Sequence, residues 1–125
     1  MKKFIIATAL ILSAGITTAQ SESTPEATLQ KVFDVAVSLE FTELARICDP
    51  MGEGDGDTQN ICTIATASED QQAEFVEYFA TGKIVGEPII DGLTAKVNFT
   101  FGPDGDREET MNMVNRRGVW YLSSF

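Results

Sequence analysis

The sequence has no histidine, only two cysteines and few basic residues, with nine lysines and arginines against 19 acidic residues. The absence of histidine excludes the commonest general base and the commonest zinc ligand. The formal net charge of −10 argues against nucleic-acid binding, because phosphate recognition needs a basic face. Beyond the N-terminal segment, no apolar run is long enough for a membrane span. A length of 125 residues and an apolar fraction of 43% predict one globular domain.

The N-terminal segment has the layout of an export signal. Lys2 and Lys3 precede an uncharged apolar run over 4–16, and small residues follow at 17–19. This pattern predicts a signal peptide over 1–19, cleaved after Ala19, and a mature domain over 20–125 in the periplasm or outside the cell. We expect no stable membrane span after cleavage. Loss of the two lysines would bring the net charge to −12.

Helical patterns dominate the first half of the mature chain. Thr24 and Pro25 predict a helix start, and a second, shorter helix is predicted after Thr42. Ser68 and Gln71 form a capping box before a third helix. The apolar stripe predicted for the first helix comprises Leu29, Val32, Phe33, Ala36 and Leu39. The segment 60–67 fits either a helix or an extended chain.

The second half alternates with a period of two. Strands are predicted over 83–90, from 93 to 101, over 107–115 and over 119–125, with a hairpin turn at Asp91 and Gly92. Helices followed by an antiparallel meander predict an α+β fold, with the helices packed on one face of a curved sheet of about four strands.

This order resembles the nuclear-transport-factor-2-like (cystatin-like) superfold, and within it the small exported bacterial domains of unknown function. The likeness is carried by the helix break at 40–45, by the strand pair at 83–87 and 95–99, and by the closing hairpin at 113–122. The resemblance implies a cone-shaped domain whose sheet wraps a cavity against the first helix. Fold likeness does not carry function, since the superfold includes both enzymes and domains without activity.

Two sets of residues are candidates for a binding site. Five apolar side chains could line a pocket or could equally form the core: Phe33, Phe99, Met111, Met113 and Trp120. Two acidic glycine loops suit calcium weakly, through Asp55, Asp57, Asp104 and Asp106. Neither loop fits the twelve-residue calcium motif, and turn chemistry alone explains such Asp-Gly pairs. We therefore expect no metal site and no cofactor.

Cys48 and Cys62 are predicted to form a disulfide. An exported chain with two cysteines is usually oxidised, and each thiol has the other as its sole partner. Two free buried thiols are the plainer alternative. A zinc site would lack ligands without histidine.

The favoured hypothesis is an exported, non-catalytic domain that binds a small apolar molecule or a protein partner. One alternative is a histidine-free isomerase or dehydratase, which would need a buried carboxylate with a raised pKa. Another is an interaction module, such as a homodimer formed through the open sheet face, which would need a contiguous exposed apolar patch.

Overall fold

Helices precede a four-stranded antiparallel sheet in the part of the chain that the structure describes. The computed structural model describes residues 23–52 and 54–125, so the predicted signal peptide lies outside the described residues. The helices are α1 (Pro25–Ser38), α2 (Gly56–Cys62) and α3 (Glu69–Phe79), with short 3-10 helices at Phe41–Arg46 and Ile64–Thr66. The strands are β1 (Lys83–Asp91), β2 (Thr94–Phe101), β3 (Arg107–Arg116) and β4 (Val119–Ser124), in the sheet order β1-β2-β3-β4. The predicted α+β class is confirmed.

The start of α1 follows the predicted cap. The Thr24 hydroxyl accepts a hydrogen bond from the Ala27 N–H at 3.1 Å, and Pro25 occupies the first turn, where a missing N–H costs nothing. Leu39 departs from the predicted apolar stripe. It ends the helix in the left-handed conformation, with φ of 68°, and its side chain is 57% exposed.

The segment between α1 and α3 is more helical than its composition indicates. The predicted second helix is a 3-10 turn that begins one residue before Thr42. The acidic glycine stretch ends in α2 because the Asp55 carboxylate caps that helix, accepting from the Thr58 N–H at 2.9 Å. The undecided segment 60–67 contains the end of α2 and the second 3-10 helix.

The capping box of α3 is confirmed. The Ser68 hydroxyl accepts from the Gln71 N–H, and the Gln71 side chain accepts from the Ser68 N–H, both at 3.2 Å. Two orphan N–H groups at the helix start are thereby satisfied.

The first hairpin turn lies one residue later than predicted. Asp91 pairs with Thr94, so Gly92 and Leu93 form the turn and Leu93 is 67% exposed. Gly92 has φ of 63°, a conformation that favours glycine. The last hairpin turns through Arg117 and Gly118, both with positive φ, as two-residue hairpins prefer.

One sheet face is apolar and packs against the helices. Along β2 the side chains of Ala95, Val97, Phe99 and Phe101 are buried, and the intervening residues up to Asn98 are exposed. Phe33 of α1 meets Phe99 with ring centroids 5.8 Å apart. The space between the first helix and the sheet, where a cone would hold its cavity, is occupied by such side chains.

Candidate functional site

An open groove lies at one side of the domain, between the helices and the ends of two strands. We call it the aromatic groove. Its volume is about 490 Å³. Its walls come from α2, from the second 3-10 helix and from α3, and the ends of β2 and β4 complete it. This volume falls within the range of small-molecule sites.

Four phenylalanine rings form the floor of the aromatic groove: Phe75, Phe79, Phe101 and Phe125. Phe79 is the centre of the set, with its ring centroid 5.0 Å from that of Phe75 and 5.2 Å from that of Phe101. Phe125 meets Phe79 edge-on at 6.3 Å. Phe75 and Phe79 share a face because they are four residues apart on α3. Packed rings of this kind offer a rigid apolar surface.

The rim of the aromatic groove is polar. It carries Asn60, Gln71 and two carboxylates, Asp57 on α2 and Glu74 on α3, all with exposed side chains. The groove therefore combines an apolar floor with a few polar groups that could orient a ligand, which is the usual composition of small-molecule sites.

Three links hold α2 in place beside the groove. The disulfide joins Cys48 to Cys62 at the end of α2, with the two Cα atoms 6.1 Å apart. The Asp55 carboxylate accepts from the Phe125 N–H at 3.3 Å, and the Asp55 N–H donates to the Ser123 carbonyl at 3.1 Å. Burial raises the pKa of Asp55, but hydrogen bonds from Thr58 and Phe125 outweigh it and hold that pKa below its usual value.

The five predicted pocket residues lie elsewhere. Phe33, Phe99, Met111, Met113 and Trp120 are each at most 7% exposed and pack in the same core as three of the floor rings, but none of the five lines the aromatic groove. Sequence reasoning missed the groove itself, because its floor unites α3 with two strand ends that are distant along the chain. The spacing of Phe75 and Phe79 was the available signal.

The four candidate calcium residues are not brought together as a ligand set. Asp55 caps α2 and Asp57 lies in its first turn, while Asp104 and Asp106 are in the loop between β2 and β3. Among the described residues, no group of three or more acidic or cysteine side chains could hold a metal ion. Calcium binding needs six to eight oxygens, so these loops provide no such shell within the described chain.

An ion pair between a buried carboxylate and a partly exposed guanidinium lies outside the lining of the groove. Arg116 donates to both oxygens of Asp49, at 3.1 Å and 2.8 Å, and the Asp49 side chain is 2% exposed. The hydrogen bonds from Arg116 lower the pKa of Asp49 in spite of burial. Neither Asp49 nor Asp55 therefore has the raised pKa that an acid–base enzyme would need.

The outer face of the sheet is polar along β2 and the middle of β3, while Val85 and Ile89 of the edge strand β1 are exposed on it. Lys96 donates to Asn112 at 2.9 Å, Asn112 donates to Ser124 at 3.0 Å, and Thr110 donates to Asn98 at 2.7 Å. This ladder of side-chain hydrogen bonds faces solvent rather than an apolar partner. Within the described residues, no helix is of a length and hydropathy suited to crossing a membrane.

The sequence matches no protein-family description and no curated protein. A solved structure with a similar fold is the solution structure of RPA3114, a SEC-C motif containing protein from Rhodopseudomonas palustris. The likeness covers 87% of this chain and 84% of that chain, with 20% identity and a TM-score of 0.51. At this identity the likeness shows the fold alone.

The resemblance to the nuclear-transport-factor-2-like superfold is wrong. The matching fold is that of a SEC-C motif containing protein, and the described chain is a small α+β domain with a four-stranded meander. The motifs that suggested the superfold were a helix break, the strand pair at 83–87 and 95–99, and a closing hairpin with a glycine turn before Trp120. Such features belong to many meanders, because they follow from turn geometry and from burial of an aromatic side chain.

Proposed function

We propose that this protein is an exported binding domain that holds a small molecule with an apolar or aromatic part in the aromatic groove. The observation that carries the proposal is the floor of four phenylalanine rings beneath a polar rim. Phe125 is half-buried and can stack on a ligand, and the other three rings back it from the core. The polar rim can fix the orientation of the ligand.

The fixed walls of the groove support this role. The disulfide ties the end of α2 to Cys48, and the Asp55 cap and the capping box at Ser68 order the first turns of α2 and α3. A site that is ordered before binding loses little conformational entropy when the ligand arrives. We therefore expect the groove to bind without a large rearrangement.

Export is supported by the layout of residues 1–19 and by the disulfide, which persists in oxidising compartments. We expect the exported protein to begin at Gln20. Its intact mass, measured on material recovered from the periplasm or the medium, should match that chain. A mass that retains Met1, with the protein in the membrane fraction, would contradict export.

The other hypotheses gain less from the geometry. An isomerase or dehydratase would need a carboxylate with a raised pKa, whereas the pKa values of Asp49 and Asp55 are lowered. A dimer through the open sheet face would have to bury the ladder around Asn112. The exposed apolar side chains of β1 lie on an edge strand. This strand has a register shift between Val85 and Ile89, and it contains Pro88. Both features oppose pairing with another strand.

The groove is tested by filling it. Thr66 is exposed and lines the groove, so Thr66→Trp should block entry without disturbing the core. Thr42 is also exposed in a 3-10 helix but lies outside the lining, so Thr42→Trp is the matched control. Nile red, a neutral aromatic probe excited outside tryptophan absorption, should bind the unchanged protein and the control but not Thr66→Trp. Equal binding by both variants, or none by the unchanged protein, would overturn the proposal.

A further inference from the structure

We propose that the ligand of the aromatic groove is an organic cation of the alkylated ammonium class. This inference rests on the proposed function, and it adds the charge and the chemical class of the ligand. It arises from the juxtaposition of two carboxylates with a floor of aromatic rings.

The charge of the groove has one sign. Asp57 of α2 and Glu74 of α3 are its charged lining side chains, and no lysine or arginine of the described ranges lines it. The two acids stand on different helices, so a ligand lying across the groove can meet both walls. The negative net charge of the chain adds a favourable long-range potential for a cation and an unfavourable one for an anion.

The floor suits a cation with apolar substituents. The faces of aromatic rings carry negative electrostatic potential, and quaternary ammonium groups are recognised by such rings. Tyr78, which lines the groove, already shows this interaction within the chain, because the Arg107 guanidinium carbon lies 5.1 Å from its ring centroid. Arg107 does not line the groove, and among the lining phenylalanines Phe125 is half-buried while the other three are core residues, so Phe125 is the phenylalanine ring with the most surface left for the ligand.

A metal ion fits the groove less well. Two carboxylates above hydrocarbon rings cannot supply the oxygen shell of calcium or magnesium. An alkylated ammonium ion needs no such shell, because its methyl groups pack on the rings while its charge is balanced at the rim. The same apolar floor and acidic rim that reject a metal ion therefore favour an organic cation.

Three probes with one skeleton separate charge from shape. The cation is benzyltrimethylammonium. The neutral probe is neopentylbenzene, in which carbon replaces the nitrogen. The anion is neopentylbenzene with one methyl group replaced by a carboxylate. We expect the cation to bind at least about tenfold more tightly than the neutral probe, and the anion to bind weakest, in titrations followed by protein NMR. Equal affinity for the cation and the neutral probe would overturn the charge inference while leaving the groove as an apolar site. No binding by any probe would overturn both.

Glu74→Gln tests the role of the rim, and Glu77→Gln, an exposed acid on the same helix outside the lining, is its control. Glu74→Gln should lower the affinity for the cation about threefold to fivefold and leave the neutral probe unchanged, because a partly exposed charge pair is worth little more than this. Affinity of the unchanged protein for the cation should also fall as salt rises from about 20 to about 500 mM. Equal effects of the two variants would contradict a role for Glu74.

Discussion

Arg116, at the end of β3, binds the carboxylate of Asp49 through two hydrogen bonds, although 67 positions separate the two residues in the chain. Asp49 also accepts from the Met51 N–H at 2.9 Å, and its own N–H donates to the Leu122 carbonyl at 3.1 Å. The segment that follows the first 3-10 helix is thereby fastened to the sheet. The carboxylate that Arg116 binds therefore belongs to its own chain.

Removing the charge of Asp49 should destabilise the protein. Asp49→Asn is expected to cost about 2 kcal/mol at neutral pH, because it weakens charge-assisted hydrogen bonds to a largely buried side chain. The pKa of Asp49 is lowered in the fold from a usual value of 3.8, so its contribution is present above about pH 4 and is lost as pH falls through the lowered value. Urea unfolding at several pH values measures both effects.

The control for that series is Asp104→Asn, at an exposed loop position. This substitution should change stability by less than about 0.5 kcal/mol. If Asp49→Asn behaved like the control at neutral pH, or if its cost grew below about pH 4, the account of the ion pair would be wrong.

The disulfide should stabilise the segment that carries α2. The double change Cys48→Ala with Cys62→Ala is expected to cost about 3 kcal/mol, by the loop-entropy estimate for a ring of this length. A thiol assay on denatured, unreduced protein should find no free thiol. Two titratable thiols in the exported protein would refute the bridge, and reduction of the unchanged protein should reproduce the loss of stability.

Trp120 should anchor the core from β4. Its side chain is 7% exposed, so Trp120→Ala should cost about 3–5 kcal/mol. Its neighbour Val119 points the other way and is 43% exposed, so Val119→Ala should cost less than about 1 kcal/mol. As Trp120 is the one tryptophan of the sequence, its native fluorescence should be blue-shifted relative to the unfolded chain. If Val119→Ala destabilised the protein more than Trp120→Ala, the strand would be one residue out of register.

Gly82 is required by close packing rather than by its backbone angles. A β-carbon at this position would overlap the ring of Phe33, so Gly82→Ala should cost about 2 kcal/mol through displacement of a core side chain. Gly56, at the start of α2, has open space where its β-carbon would lie, and Gly56→Ala should be neutral or stabilising by up to about 1 kcal/mol. Thermal unfolding of the two variants compares them directly, and equal midpoints would contradict the contact.

The local features of the fold could be predicted from the sequence because their causes are local. The capping box at Ser68, the cap at Thr24 and the alternation along β2 each depend on neighbouring residues. The start of α2 was also encoded locally, since Asp55 has the chemistry of a helix cap, but the surrounding glycines made a loop the more obvious interpretation.

The candidate site could not be predicted because it depends on contacts between distant parts of the chain. Phe75 is in α3, Phe101 ends β2 and Phe125 follows β4, and no periodicity shows that their rings meet. The five apolar residues that were considered for a pocket have the same composition as a core, so residue type alone could not distinguish the two. Because side chains fill the core against α1, the groove lies at the side of the domain.

The most direct test of the account is to map benzyltrimethylammonium on the exported protein by the chemical shifts of its backbone amides. We predict shift changes that saturate and that cluster at the second 3-10 helix, Ile64–Thr66, and along α3 between Glu74 and Phe79. Shift changes confined to the β1–β2 hairpin, or no saturable change at any amide, would contradict binding in the aromatic groove.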